Sequence, residues 1–371
     1  MSPLEIDGSF GEGGGQLSRY AMALAAITGR PIILRNIRAR RPRPGLMAQH
    51  LTALRAVAEV CGGVLEGAEL GAGEVRFQPG RIRGGDYRFE VGTAGSIVLV
   101  LQALLPVILH ADGPCRLVVS GGTDVRMAPP VDYLRLVFLP WLARMGARVS
   151  IDSVRHGYYP RGGGEVSLML MPCGPLSPLV AASPGALRSL RGVAHVSRLP
   201  RHIPERMAGA ARARLAGFGP VEIDIQVLSE VEACGTGGAM VLVAETEHSL
   251  LGAAVVAERG VTAERLGEEA GRALRAELAA GAALDIHAVD QLLIYAAQAW
   301  GDSSFTVREI SLHARTVMWL IAQFLPVEFR VEAQGRLQRV EVVHGGDPRL
   351  PLRAGWATTR REAPPGRENP P

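Results

Sequence analysis

Extended runs and helix-length apolar stretches alternate through the N-terminal half in an order that repeats, and this order limits the fold more than any single residue does. Residues 4–7 read as a strand, 17–29 as a helix stopped by Gly29 and Pro31, and 31–37 as a second strand. A stiff basic loop, RARRPRPG, leads into an amphipathic helix over 49–63, and strands are expected over 74–78 and 87–91. The layout then recurs with AGSIVLVLQALLPVIL as helix, CRLVVSG as strand, VDYLRLVFLPWLARMG as helix and GGEVSLML as strand. The layout repeats although the residues do not.

Composition changes near Met171, where MPCGPLSPLVAASPG is rich in proline, glycine and serine and reads as a crossing between domains. Strands are expected over 187–199, 221–228 and 239–245, with helices over 204–218 and 262–280, the latter capped by Thr262. Near Asp285 the earlier layout resumes. The fold class expected is therefore α/β (α+β): a large domain of repeated strand-helix units, 1–184 with 281–343, and a smaller inserted α+β domain, 185–280. Residues 357–371 hold prolines and charges without a large apolar side chain and read as a disordered tail.

A chain of 371 residues can bury a large core, and with only 5% aromatics that core must rest on Ala, Val and Leu. A net charge of +4 is too mild for a general nucleic-acid glove but leaves room for a local basic groove. Cys61, Cys115, Cys173 and Cys234 stand far apart with no CxxC pair, which indicates neither a zinc motif nor a secreted disulfide scaffold. The opening residues lack the basic and apolar regions of a signal peptide. The longest apolar stretch, 97–109, is interrupted by Gln102 and is too short to span a bilayer. A cytoplasmic protein without membrane contact is expected.

Candidate site residues cluster at strand–helix junctions. The alternating run 305–310 gives way at His313 to helical spacing, setting an imidazole where unpaired backbone N–H groups can meet an anion; a structural histidine fits that stretch equally well. Gly11, Gly13, Gly14 and Gly15 lie between a strand and a helix, where backbone can approach a phosphate. They do not form the dinucleotide fingerprint, because Gln16 replaces its last glycine and the next strand ends in Asn36, Ile37 and Arg38 without a ribose-binding acid. Glu12 inside this turn reads as a ligand for a metal or nucleotide, or as a solvated acid. Arg35, Arg38, Arg40, Arg41 and Arg43 put five cations in nine positions with no acid among them; they suit phosphate oxygens or form a solvated edge. Arg19, Gln16 and Gln49 would share this surface, with Gln49 and His50 as neutral donors. Without an RNP aromatic pair or a GXXG loop, recognition of a chain end through phosphate and sugar fits better than stacking along many bases.

Other clusters remain open between two readings. SGGTDVRMAPPVDYL joins Asp124 and Arg126 to Pro129 and Pro130, as the wall of a nucleotide pocket or as a stiff loop capped by Asp132. YYPRGGGEV puts Arg161 and three glycines before a strand. Cys234 has no identifiable base, so a thiol nucleophile is not indicated. Asp285 and Asp290 precede and enter the helix VDQLLIYAAQAW, where an acid can cap, orient a histidine or hold Mg²⁺. The nine histidines are scattered, with no HExxH and no tight His-His-Asp group, which argues against a dedicated zinc active site.

Taken together, DGSFGEGGGQLSR, IRARRPRPGLMAQHLTA, GGDYRFEVGTAGS, SGGTDVRMAPPVDYL, RHGYYPRGGGEV, DQLL and SLHARTV resemble, in order, the RNA 3′-terminal phosphate cyclase family over residues 4–343. The resemblance implies a large domain of repeated α/β units with a smaller one inserted. It implies an ATP-dependent enzyme of RNA processing or repair in which a histidine, here matched by His313, attacks the α-phosphate of ATP and carries AMP. The AMP passes to an RNA 3′-terminal phosphate, and the neighbouring 2′-hydroxyl then closes a 2′,3′-cyclic phosphate. By matched motif, Glu12, Gln16 and Asp290 resemble residues around the nucleotide and a divalent cation, Mg²⁺ or Mn²⁺. Glu12 and Asp290 are the implied metal ligands, and Asp290 the implied orienter of His313. Pro129 or Pro130 resembles part of the adenine pocket. Arg19, Arg38, Arg41, Gln49 and Arg126 are matched to the RNA phosphate or leaving pyrophosphate. Val317 stands where some relatives carry Asn. Non-catalytic relatives of ribosome biogenesis lack the histidine-centred chemistry, so His313, Glu12 and Asp290 together favour the catalytic branch. Sugar-enolpyruvyl transferases share only the broad architecture.

Overall fold

The computed structural model describes residues 2–345, so the expected tail at 357–371 lies outside the described residues. Three units of one design build the main body. The first comprises strand Leu4–Asp7, helix Gly15–Thr28, strand Ile32–Arg35, helix Ala48–Val60 and strands Val64–Glu66 and Val75–Gln78. The second comprises strand Gly85–Glu90, helix Ile97–Ile108, strand Cys115–Gly121, a helical stretch over 131–144 with a π-turn at Leu134–Phe138, and strands Arg148–Gly157 and Gly164–Met171. The third starts with the two-residue strand Val180–Ala181. After an insertion it resumes with helix Ile286–Ala296, strand Ser303–Val307, helix Leu312–Ala322 and strands Val327–Gln334 and Leu337–His344.

In every unit the first two strands pair in parallel and the last two return antiparallel, giving the spatial order first, second, fourth, third. The repeated order expected from the sequence is present, with its phase corrected. The run at 87–91 belongs to the strand that opens the second unit, and the first unit closes instead with Val64–Glu66 and Val75–Gln78. The three-residue strand Val64–Glu66 buries none of its side chains fully, and Val64 is largely exposed, so it is too short and too open for periodicity to reveal.

The insertion is a four-stranded sheet ordered Val221–Leu228, Leu187–Ser197, Gly237–Thr246 and Leu250–Val256. Helices His202–Leu215 and Ala263–Ala280 cover it, and Leu190, Met207, Leu242 and Leu274 belong to its own core. Thr262 caps the second helix by accepting from the Arg265 backbone N–H at 3.3 Å. Leu250–Val256 is a further strand that pattern does not announce, because LLGAAVV has no alternation and only Val255 and Val256 as strong β formers. Its Gly252 is required: a Cβ there would lie 2.6 Å from Val137 and 2.7 Å from Tyr133.

Helix Gly15–Thr28 is buried without interruption from Leu17 to Ile27 instead of along one stripe. Helices Ala48–Val60, Ile97–Ile108 and Leu312–Ala322 all pack on it, which leaves no solvent face. The open end of this central helix is its N-terminus, where the glycine turn and Gln16 sit. Among the described residues no helix is long and apolar enough to cross a membrane.

Candidate active site

Strand Ser303–Val307 ends at the core, and Ser311 caps the helix that follows by accepting from the Ala314 backbone N–H at 2.9 Å. This stands His313 in the first turn of helix Leu312–Ala322 with its side chain 47% exposed. The glycine turn is seated against the same helix. Thr316 Oγ1 accepts from the Glu12 backbone N–H at 3.1 Å and donates to the Leu312 carbonyl at 2.7 Å, while Phe10 stacks on Trp319 at 3.8 Å between ring centroids. Gly11 has φ +58, and a Cβ there would lie 2.3 Å from Thr316 Oγ1, so both backbone and space demand glycine.

Gln16 sets the tautomer of His313. Its side-chain N–H donates to the Asp290 carbonyl at 3.3 Å, which turns Oε1 towards His313 Nδ1 at 3.0 Å. An amide oxygen only accepts, so Nδ1 carries the proton and Nε2 keeps a lone pair. Burial lowers the His313 pKa, and the positive charges of Arg19 and Arg41 push the same way, so the ring is neutral at neutral pH. Glu12 Oε2 lies 3.6 Å from Nδ1, and the carboxylate is ion-paired with Arg41. Asp290 hydrogen-bonds Ser311 at 2.5 Å, and burial raises its pKa to about 6. The contact that orients the His313 ring is therefore from Gln16; Asp290 reaches it only through Gln16 and Ser311.

The remaining expected residues take varied positions. Arg19 is buried beneath the site, with its guanidinium 3.4 Å from Gln102 Oε1; burial lowers its pKa to about 10, which leaves it charged. Arg38 donates to the carbonyls of Arg43 and Gly45 at 2.8 and 2.7 Å, bracing its own loop. Gln49 accepts from the Ser96 backbone N–H at 2.8 Å, and Arg126 is paired with Glu258 of the insertion at 3.1 Å. Pro129 and Pro130 precede the first turn of the 131–144 helical stretch. Pro130 occupies the cap position, so Asp132 does not cap; it lies within the first turn, buried and bonded to Arg135. From that turn Tyr133 donates to Asp285 at 2.7 Å, and Asp285 caps the helix that bears Asp290.

Ser311, Thr316 and Tyr133 were not singled out from the sequence. Only Ser311 had a signal there, a cap residue immediately before a helical pattern. The fold also assembles a His-His-Asp set from Asp124, His156 and His195, although the sequence shows no such group. Glu12 and Asp290 carry oxygen donors of the kind a hard divalent cation such as Mg²⁺ or Mn²⁺ takes, and a cation there would stabilise the buried carboxyl of Asp290 as an anion.

The glycine turn and the start of helix Leu312–Ala322 thus bring a neutral imidazole beside Gln16, Glu12 and Arg41 on an α/β fold, with Asp290 one contact away in helix Ile286–Ala296. The family model described as "RNA 3'-terminal phosphate cyclase" matches residues 10–331. Relatives of that same description include one from Nitrosospira multiformis, 54% identical over 91% of this chain and 95% of the relative. Others come from Pyrobaculum neutrophilum, 42% identical over 93% and 99%, and from Methanopyrus kandleri, 44% identical over 92% and 99%. The chain belongs to the RNA 3′-terminal phosphate cyclase family.

Proposed function

We propose that the protein converts an RNA 3′-terminal phosphate into a 2′,3′-cyclic phosphate at the expense of ATP, with His313 as the carrier of AMP. The observation that supports this most directly is the His313 ring, neutral, with Nδ1–H held by Gln16 and the Nε2 lone pair free. The sequence contains no lysine, so a lysine cannot carry the nucleotide, and arginine stays protonated.

His313 Nε2 attacks the α-phosphorus of ATP; a P–N bond forms, the P–O bond to pyrophosphate breaks, and pyrophosphate leaves. An oxygen of the RNA 3′-phosphate then attacks the same phosphorus and releases the imidazole. In the last step the 2′-hydroxyl attacks the RNA phosphorus, loses its proton, and AMP departs. Activation is needed because a phosphate monoester lacks a good leaving group. Gln16 keeps the nucleophilic nitrogen unprotonated, while Arg41 and the buried charge of Arg19 offset developing oxygen charge. Glu12 and Asp290 would hold the divalent cation, which supplies charge neutralisation at the phosphates. The first-turn N–H groups of helix Gly15–Thr28, where Gly14 provides no side-chain cap, are available to phosphate oxygens.

Incubation with ATP labelled at the α-phosphate tests the reading. A labelled protein is expected, lost in His313→Ala and on chelation of divalent cations, and a labelled RNA 3′-phosphate becomes resistant to phosphatase. RNA binding without adduct or cyclic end, with Mg²⁺ and Mn²⁺ both supplied, would identify a non-catalytic member of the family instead.

A further inference from the structure

Away from His313 the fold gathers a second set of donor side chains. Asp124 follows strand Cys115–Gly121, His156 ends strand Arg148–Gly157, and His195 belongs to strand Leu187–Ser197 of the insertion. One donor atom from each lies within 4.8 Å of the others, and all three residues are buried. Their outer contacts fix the rings. His156 Nδ1 is 2.7 Å from Asp124 Oδ2, and Tyr158 Oη is 2.9 Å from His195 Nδ1.

The inner atoms have no such partners. Asp124 Oδ1 and His195 Nε2 are buried without a hydrogen bond and face each other at 3.8 Å. Asp132 Oδ2 lies 3.5 Å from the same ring nitrogen. Asp132 is also paired with Arg135 at 2.8 Å, whereas Asp124 Oδ1 and His195 Nε2 have no partner, and a cation between those two atoms would satisfy both. A tetrahedral zinc ion with bonds of about 2.0 Å holds its ligands about 3.3 Å apart. The observed separations of 3.5 and 3.8 Å approach that spacing.

We propose that Asp124, His156 and His195, with Asp132 beside them, form a structural site for a divalent transition metal, zinc by its donor chemistry. The metal would take the place of the proton between His156 Nδ1 and Asp124, so binding releases a proton. Tyr158 holds His195 from its other nitrogen, as an outer partner of a ligating imidazole does. The site joins the sheet of the insertion to the second unit, directly before the loop bearing Pro129 and Pro130. It stands apart from the adenylate chemistry proposed for His313 and does not depend on it.

The test is the metal content of the purified full-length chain after zinc loading, together with anomalous diffraction from its crystals at the zinc edge. About one zinc per chain and an anomalous peak among Asp124, His156 and His195 are expected. His195→Gln should lower zinc occupancy by about tenfold or more and remove the rise in melting temperature that zinc gives the wild type. His313→Ala should keep its zinc, which separates this site from the cation held by Glu12 and Asp290. A folded wild type that takes up no zinc, or a peak found only beside Glu12 and Asp290, overturns the proposal. Should His195→Gln fail to fold, the wild-type anomalous map decides alone.

Discussion

His313 Nδ1 is committed to Gln16, and that contact determines which ring nitrogen is left to react. Gln16→Leu removes the acceptor while keeping the volume, so the ring loses its tautomer and its aim. Loss of one such hydrogen bond is worth roughly 1.5–3 kcal/mol when charge develops on the ring, so adduct formation should slow about 10–150-fold with ATP binding little changed. A single-turnover rate equal to wild type would contradict this. The pH profile follows from the same residues. His313 is held below its usual 6.5, and Asp290 is raised to about 6; both act deprotonated, so adduct formation should rise with pH through about 6 and level off above it. A rate that climbs towards acid would be the wrong sign. The place of His313 at a helix start was legible, because the alternation of 305–310 breaks there. Its orientation was not, since Gln16 lies 297 residues away in sequence. Arg38 and Gln49 show the same limit: residue type suggested phosphate, and the backbone groups that each also engages could not be read from the sequence.

At the scale of elements, the glycine turn is shaped by the helix beneath it. Gly11→Ala places a methyl group against Thr316 in a backbone conformation with φ +58, costing roughly 1–3 kcal/mol. The variant should melt earlier and form adduct more slowly; unchanged stability would show that the turn is not pinned to helix Leu312–Ala322. Helix Ala263–Ala280 offers a separate test. Burial raises the Glu277 pKa to about 7 although Arg308 lies 3.1 Å away. A folded pKa above the unfolded one gives stability that is complete below about 4.5 and lost as pH rises through 7, an effect of about 3 kcal/mol. Glu277→Gln should therefore flatten the decline in stability from pH 5 to 8, measured by denaturant unfolding; equal slopes would contradict the buried carboxyl. Strong elements were readable from pattern and caps, as Thr262 illustrates. Leu250–Val256 was not, because it shows no alternation and is interrupted by Gly252, which the close approach of Tyr133 and Val137 requires.

At the scale of the whole molecule, three units of one topology carry their chemistry on the loops and helix starts that follow parallel strands. Glu12 and Gln16 follow the first strand of unit one, Arg41 its second, Pro129 and Pro130 the second strand of unit two, and His313 the second of unit three. Two repetitions of this layout were visible in the sequence. The third was visible only from Asp285 onwards, because residues 187–280 separate it from a first strand of only two residues. The His-His-Asp set was concealed for a related reason: its members come from the second unit and the insertion, and meet only once both are packed. The most direct test of the account is peptide mapping by mass spectrometry of the protein trapped after reaction with ATP. It predicts AMP on the peptide containing His313 and none on His313→Ala. AMP on any other residue, or cyclisation at full rate by His313→Ala, would contradict it.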